Sequence, residues 1–258
     1  MPKPVNRNIS TTFVKGIQVL KAFDDDNTHL TQADLAVRTG LDRASVRRLA
    51  LTLVELGYVR QAGRHFVLTP QILTLAGSFF QGNGVGVEIQ PLLNRYSERI
   101  GGPASLALRD GARAVYVCQS AARAQPVTFG FTVGSRISLT HSAIGRMILA
   151  WEKTGWSENF LQETEIVQHT AASLTDRGAI LKAVTEARAL GYALVREEFE
   201  PGVTGLAVPI GHAGGHGAVV GTSMPTAELD DNARREDALQ GLRELAREMT
   251  HTRMFRQS

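Results

Sequence analysis

The sequence lacks the features that mark secreted, membrane-spanning and disulfide-stabilised proteins. Its single cysteine, Cys118, excludes an internal disulfide and is typical of the reducing cytoplasm, where we therefore expect the protein. No run of about eighteen apolar residues is present, so we predict no membrane span. Residues 1–13 also lack the apolar core of a signal peptide. What remains is a chain of 258 residues, 43% hydrophobic and 21% charged, as in globular proteins of one or two domains.

Net charge is also small, at +3, but it is unevenly distributed along the chain. Residues 1–70 contain ten Lys and Arg residues against six Asp and Glu residues, a balance of +4. The rest of the chain has a balance of −1. A polyanionic partner is therefore expected to bind the N-terminal part alone.

Residues 30–59 have the pattern of two helices joined by a tight turn. Thr31 is a suitable N-cap for a short helix over 32–38, and Gly40 supplies the positive φ that ends it. Asp42 is a suitable cap for the next helix. The spacing of three and four residues predicts that this second helix buries a stripe formed by Val46, Leu49, Leu53 and Leu56.

The face of the second helix opposite that stripe is basic and carries a hydroxyl group near its start. A helix of this size enters the major groove of DNA, where arginines reach phosphates and guanine edges. The alternative interpretation is a helical hairpin with an ordinary solvated basic face. In the helix pair, the residues that we predict to contact DNA are Thr31, Gln32, Arg43, Ala44, Ser45, Arg47 and Arg48.

A short basic hairpin follows the helix pair directly. Two strand-like segments, 58–60 and 66–68, flank a connection centred on Gly63. Helix, helix-turn-helix and basic hairpin together indicate a winged helix, whose wing contacts the adjacent DNA backbone or minor groove. We therefore add Arg60, Arg64 and His65 to the predicted DNA-binding residues.

One predicted helix precedes this motif and another follows it. The first covers 13–23, with Phe13, Ile17 and Leu20 on its apolar side. The second, over 70–83, is interpreted as a connector and a dimer contact, and the glycine-rich stretch 81–86 as a domain boundary. The connector's predicted apolar stripe consists of Ile72, Leu75, Ala76 and Phe79.

Beyond residue 104 the pattern predicts an α+β domain with a mainly antiparallel sheet covered by helices. Ser142 is expected to cap an apolar helix, and Thr175 or Asp176 a longer one that ends at Gly191. Cys118, within an alternating apolar run, is interpreted as a buried structural thiol. The predicted strands are 105–108, 114–119, 127–133, 193–197, 206–210 and 218–223, and a final helix covers about 231–250.

The start of the helix after Ser142 is a candidate anion site. The backbone amides of Ala143, Ile144 and Gly145 have no partner within the helix, and the positive end of the helix dipole lies behind them. Such a site accepts a carboxylate. A capped core helix without a ligand is the alternative.

Metal and catalytic chemistry have little support in the sequence. His212 and His216 are four residues apart but lie in a glycine-rich turn, so we predict neither a metal nor a cofactor. Cys118 and His141 lie in different segments, which gives little support to a catalytic site formed by the two. Glu197 and Glu198 are expected to point to opposite faces of a strand, so they do not form a paired-carboxylate site. Two alternatives remain open: a metabolite-converting enzyme with an oligomerising winged helix, and a protein-interaction domain in place of a ligand pocket.

With these motifs in place, the chain resembles the IclR family of bacterial transcriptional regulators. The resemblance runs from about Phe13 to Met249. It is carried by LTQADLAVRTGLDRASVRRLALTLVELGYV, RHFVLTP, VGSRISLTHSAIGRMILA and GYALVREEFEPGVTGLAVPI. It implies a winged helix-turn-helix DNA-binding domain at 1–69, a linker helix and hinge at 70–86, and a GAF-like effector-binding domain at 87–258. It also implies a homodimer or tetramer on palindromic double-stranded DNA, and a small carboxylate or aromatic acid as effector.

The resemblance further places an effector pocket at Ser142. It implies that the pocket is closed by Val195, Val203, Gly205, Gly221 and Ser223. Thr204-Gly205 stands where the family commonly has Arg-Ser, and Gly221 stands where a polar side chain is common. We therefore hypothesise an effector that is bulkier or less polar than a two-carbon acid.

Overall fold

The computed structural model describes residues 8–24, 27–121, 132–215 and 217–256. The chain divides into two compact units between Gly82 and Asn83. Within the described ranges, no helix is long and apolar enough to cross a membrane.

The N-terminal unit combines helices with a small antiparallel sheet in the order β1-β3-β2. The predicted caps are confirmed: Thr31 caps α2, Gly40 ends it at φ +68°, and Asp42 caps α3. The short strand β1 was not predicted, and it pairs Leu30 with Phe66 of the hairpin. The elements are α1 Thr11–Leu20, β1 Leu30–Thr31, α2 Gln32–Thr39, α3 Arg43–Glu55, β2 Val59–Ala62, β3 His65–Leu68 and α4 Gln71–Gly82.

Two predicted apolar stripes of this unit are wrong in part. On α1, Phe13 is 70% exposed, whereas Val19 is buried. Helix α1 ends at Leu20 and meets α3 through the side that carries Val19. Its N-terminal apolar residues therefore face away from the hydrophobic core of this unit. On α3, Ala50 is buried, while Leu56 at the C-cap is 58% exposed because the helix ends before it.

The connector helix α4 forms as predicted, but none of its residues is buried in the single chain. Gly84, at φ +67°, follows it within the predicted glycine-rich break. The chain then forms a π-helical turn, Val85–Ile89, which leads directly into α5, Gln90–Ile100. Val85 and Ile89 are buried, so the second unit begins within the break.

The second unit is built on a six-stranded antiparallel sheet in the order β6-β5-β4-β9-β8-β7. Helices α6, α7 and α8 and their core lie on one face of the sheet, and α5 and α10 pack together on the other. This arrangement confirms the predicted α+β class. The elements are β4 Ser105–Asp110, β5 Arg113–Gln119, β6 Arg136–Ser138, α6 Ala143–Trp151, α7 Trp156–Glu163, α8 Arg177–Leu190, β7 Ala193–Arg196, β8 Val203–Pro209, β9 Ala218–Pro225, α9 Thr226–Asp230, α10 Asn232–Met249 and α11 Arg253–Arg256.

A bulge at Val117 interrupts the alternation of β5. Leu106 pairs with Cys118, but the next residue, Ala107, pairs with Tyr116. Tyr116 therefore faces the α6 side, whereas the Cys118 thiol faces α5 and donates to Gln90 Oε1 at 2.9 Å. Cys118 is buried, as predicted, and burial raises the pKa of its thiol.

Two of the predicted strands, 127–133 and 193–197, do not match the structure as predicted. Most of the strand predicted at 127–133 lies outside the described residues, and Thr132 and Val133 are not in a strand. Strand β7 ends at Arg196, so Glu197 is not part of it. The prediction that Glu197 and Glu198 alternate on a strand is therefore wrong: Glu197 adopts φ +55°, which turns the chain out of the sheet.

Candidate functional site

The turn between α2 and α3 is held by side chains at the start of α2. The Thr31 hydroxyl donates to Asp34 Oδ2 at 2.7 Å and accepts from the Asp34 amide at 3.2 Å. This hydrogen bonding lowers the pKa of the Asp34 carboxyl. Gln32 Nε2 donates to the Arg43 carbonyl at 2.7 Å. Of the two residues here that are predicted to bind DNA, Thr31 thus caps α2, and Gln32 links the start of α2 to the start of α3.

The predicted basic face of α3 is open to solvent. Arg43, Ala44, Arg47 and Arg48 are exposed, and Ser45 is half-buried. Val46 and Ala50 anchor the opposite side of the helix in the core, and the Asp42 carboxylate accepts from the Ser45 amide at 2.8 Å. Within the described ranges, no carboxylate lies within ion-pair distance of the three α3 arginines.

The hairpin presents its basic residues away from the core. Arg60 and His65 share one face of the β2–β3 ladder, while Val59 and Phe66 on the other face are buried. Arg64 is exposed in the turn, beside Gly63 at φ +62°. The unit therefore offers two basic surfaces, one on α3 and one at the hairpin tip.

In the second unit, Ser142 caps α6 as predicted. Its hydroxyl accepts from the Gly145 amide at 2.9 Å and donates to the Ser138 carbonyl at 3.0 Å. The Gly145 amide is thereby used by the cap. Among the described residues, the amides of Ala143 and Ile144 have no acceptor, as expected for the first two positions of a helix.

A cavity of about 50 Å³ lies at this helix start. Six of the nine predicted effector residues line it: Ser142, Ala143, Val195, Val203, Gly205 and Ser223. Five further residues that line it were not predicted, namely Tyr116, Ile137, His141, Phe199 and Glu200.

Three predicted effector residues, Ile144, Gly145 and Gly221, are not among the described residues that line the cavity. Gly221 lies beneath Ile144, whose Cγ1 atom would be 2.9 Å from a Cβ atom at Gly221. The space that a glycine leaves there is filled by Ile144 and adds nothing to the cavity. Gly145 packs against backbone, since a Cβ atom would lie 2.3 Å from the Ser138 carbonyl oxygen.

One wall of the cavity is fixed by a buried ion pair between α6 and the segment after β7. Arg146 donates through Nη1 and Nη2 to the two oxygens of Glu198, at 2.7 and 2.8 Å. Arg146 also donates to the Thr140 carbonyl, and the Leu174 amide donates to Glu198. Because Phe199 and Glu200 follow directly, this pair sets the position of both in the cavity wall.

Two other cavity residues are held by hydrogen bonds to their neighbours. His141 is buried, and its ring nitrogens lie 2.9 Å from the Leu174 carbonyl and 2.8 Å from Thr140 Oγ1. The carbonyl can only accept, so Nε2 of His141 carries a proton. Burial raises the pKa of Tyr116 to about 12, which keeps its phenol neutral.

No cluster of three or more His, Cys, Asp or Glu side chains that could hold a metal occurs in the described ranges. His212 lies in the turn after β8, and its carbonyl accepts from the Gly215 amide. His216, the second histidine weighed for zinc, lies outside the described residues.

Comparison with known proteins identifies the family. Residues 12–63 match the profile described as the IclR helix-turn-helix domain, and 80–251 match that of the bacterial transcriptional regulator IclR C-terminal domain. The chain belongs to the IclR family of bacterial transcriptional regulators. As an IclR-family protein it is a DNA-binding transcriptional regulator, and its named relatives are regulators and not enzymes.

Three similar proteins illustrate the relationship. The Pca operon regulatory protein of Acinetobacter baylyi is 31% identical over 91% of this chain and 86% of its own length. The p-hydroxybenzoate hydroxylase transcriptional activator of the same organism is 26% identical over 78% of this chain and 76% of its own. The crystal structure of a putative transcriptional regulator from Rhodococcus sp. RHA1 has a TM-score of 0.74 at 31% identity and covers 93% of this chain and 97% of its own.

Proposed function

We propose that this IclR-family regulator controls a catabolic operon and senses a small organic acid, in particular an aromatic carboxylic acid. It binds a palindromic operator as a homodimer or tetramer, through α3 and the hairpin. Binding of the acid in the cavity changes its affinity for the operator. Two relatives support this assignment, because one is named for the Pca operon and the other for p-hydroxybenzoate hydroxylase.

The cavity at the start of α6 is the observation that carries the proposal. The helix start beside it carries two unpaired amides, on Ala143 and Ile144, and these and the positive helix end suit a carboxylate. Tyr116 and Phe199 supply aromatic walls. The DNA-binding role rests on the exposed arginines of α3 and on Arg60 and Arg64 of the hairpin.

The size of the cavity supports a conformational switch. An engineered cavity of about 150 Å³ holds benzene, whereas this one has about 50 Å³. An aromatic acid therefore requires the cavity walls to move apart. A ligand that fits one conformation better than another shifts the balance between them, which is the requirement for regulation of DNA binding.

The test measures stability and operator affinity on the full chain with a panel of acids. The panel runs from acetate and glyoxylate to benzoate and hydroxybenzoates, with thermal shift and fluorescence anisotropy on DNA from upstream of the gene as readouts. We expect aromatic acids to raise the melting temperature and change operator affinity. Ser223→Val, which replaces a hydroxyl by two methyl groups in the cavity wall, should weaken both effects and retain DNA binding. Stabilisation by the two-carbon acids alone would overturn the aromatic assignment.

A further inference from the structure

Among the described residues, the cavity wall contains a negative side chain and no lysine or arginine. The eleven described lining residues include Glu200 as the one acidic residue. Arg146, the arginine nearest in sequence to the cavity residue Ser142, has both terminal nitrogens bound to Glu198 and is thereby neutralised. Within the described ranges, the positive feature at the cavity is thus the start of α6, which suits one carboxylate.

Glu200 is available to a ligand. It is half-buried, and within the described part of the chain no lysine or arginine lies within ion-pair distance of its carboxylate. Its carbonyl accepts from the Val203 amide at 3.3 Å, which closes the turn at Gly202, φ +75°. The turn is held on both sides, by Glu198 and by the Thr226 amide, which donates to the Gly202 carbonyl at 2.8 Å.

We infer that Glu200 is the specificity-determining residue of the cavity: it selects monocarboxylates that carry a hydroxyl or amino group and rejects dicarboxylates. This inference rests on the proposed function. The effector's carboxylate binds the amides of Ala143 and Ile144, and its hydroxyl or amino hydrogen donates to the Glu200 carboxylate. Hydrogen bonds to a charged acceptor are the strong class. A second carboxylate would meet Glu200 with no cation to offset the repulsion.

The remaining polar groups of the cavity do not provide an alternative acceptor of equal strength. The ring nitrogens of His141 are both engaged, with Leu174 and Thr140. Tyr116 has a hydrogen bond with Ser105 and a phenol held neutral by its raised pKa. Ser142 already uses its hydroxyl to cap α6. Glu200 is therefore the residue whose neutralisation should change selectivity most.

The experiment compares the full-length wild type with Glu200→Gln by calorimetric titration. The ligands are benzoate, its 3- and 4-hydroxy derivatives, 3- and 4-aminobenzoate, isophthalate and terephthalate, together with butyrate, 4-hydroxybutyrate and succinate. For the wild type we expect at least one hydroxy or amino monocarboxylate to bind about tenfold or more tightly than its unsubstituted parent. The matching dicarboxylate should bind more weakly than that parent.

In Glu200→Gln the preference for the hydroxy or amino compound should shrink by about tenfold, and binding of the dicarboxylate should improve. Glu197→Gln is the matched control, because Glu197 is the neighbouring acid and does not line the cavity. It should retain the wild-type order. Operator affinity without ligand confirms that each variant is folded.

The outcomes separate the two proposals. If acids bind but Glu200→Gln keeps the wild-type ratio of hydroxy compound to dicarboxylate, the role of Glu200 is overturned and the proposed function stands. If the wild type binds the dicarboxylate best, the inference is likewise wrong. If no member of the panel binds the wild type, the proposed function itself fails, and the inference fails with it.

Discussion

The arginines of the N-terminal unit differ in what surrounds them. Arg38, on α2, is bound to Asp24 and donates to the Ala22 carbonyl at 2.9 Å, so it ties α2 to the end of α1. Arg47 and Arg48 are exposed on α3 with no carboxylate within ion-pair distance in the described ranges. The same residue type therefore serves the fold at one position and is available to DNA at the others.

We predict that Arg47→Ala or Arg48→Ala weakens operator binding about ten- to hundredfold, because a base or phosphate contact in the major groove is lost. Arg64→Ala in the hairpin should weaken binding with little change in sequence preference, because a wing contacts backbone. Fluorescence anisotropy on specific and scrambled duplexes at physiological salt measures both. Lys182→Ala, exposed in the second unit, is the control. Wild-type affinity in all three arginine variants would refute the docking.

Helix α3 depends on its first turn. The Asp42 carboxylate accepts from the Ser45 amide, and this hydrogen bonding lowers the pKa of Asp42 from its ordinary 3.8. A carboxyl with a lowered folded-state pKa stabilises the fold above its ordinary pKa, and this stabilisation is lost as pH falls through the folded-state value. The cap thus contributes fully at neutral pH and loses its contribution below about pH 4.

We predict that Asp42→Ala lowers the melting temperature at pH 7, while Asp42→Asn largely preserves it because asparagine caps well. As pH is lowered from 5 to 2.5, the difference between wild type and Asp42→Ala should shrink. Circular dichroism melts at stepped pH give the comparison. A constant difference across that range would show that the carboxylate's charge does not contribute to the cap.

Helix α6 and the segment after β7 are joined by one buried ion pair. Removing Glu198 would leave the charge of Arg146, which is 3% exposed, without a partner. We predict that Glu198→Ala destabilises the protein by about 3–5 kcal/mol, and that Glu198→Gln, which retains hydrogen bonding, costs less. Urea unfolding monitored by tryptophan fluorescence gives the free energies. Equal losses in the two variants would contradict the need for a hydrogen-bonded partner.

The sequence predicts elements whose ends are set by local chemistry. The caps Thr31, Asp42 and Ser142 and the stop at Gly40 were identified correctly, because a cap depends on a few neighbouring residues. The stripe on α1 was partly wrong, because its exposed and buried sides are decided by α3. Local pattern carries no information about that packing.

Helix capping pointed to the part of the cavity at Ser142 and Ala143, and the resemblance supplied Val195, Val203, Gly205 and Ser223. His141 precedes a recognised cap, and Phe199 and Glu200 precede the Pro-Gly turn before Val203, so proximity in sequence to predicted residues would have indicated them. Tyr116 comes from a distant strand, and the bulge beside it cannot be read from an alternating sequence. Gly221 does not line the cavity because Ile144 covers it, and only the packing shows this.

At the scale of the whole molecule, the two units differ in charge and in core. The N-terminal unit has its own buried cluster, which includes Leu35, Val46 and Phe66. The second unit has a larger one, around Met147, Ile148 and Leu149. The net charge is +4 over residues 1–70 and −1 over the rest of the chain. This difference indicates that the first unit contacts DNA.

We predict that a fragment of residues 83–258 folds cooperatively and has no operator affinity, because its core is complete without the first unit. In the full chain, operator affinity should fall steeply as salt rises, since phosphate contacts release counterions. Thermal melts and anisotropy across a salt series provide the measurements. An unfolded fragment, or one that binds the operator, would contradict this division.

The bulge at Val117 has a consequence for how this protein can change over time. It separates Tyr116, on the cavity face of β5, from Cys118, which the α5 side holds through Gln90. Substitutions at the two positions therefore act on different layers of the molecule. A lineage can acquire a new effector through position 116 while the packing of α5 is inherited unchanged.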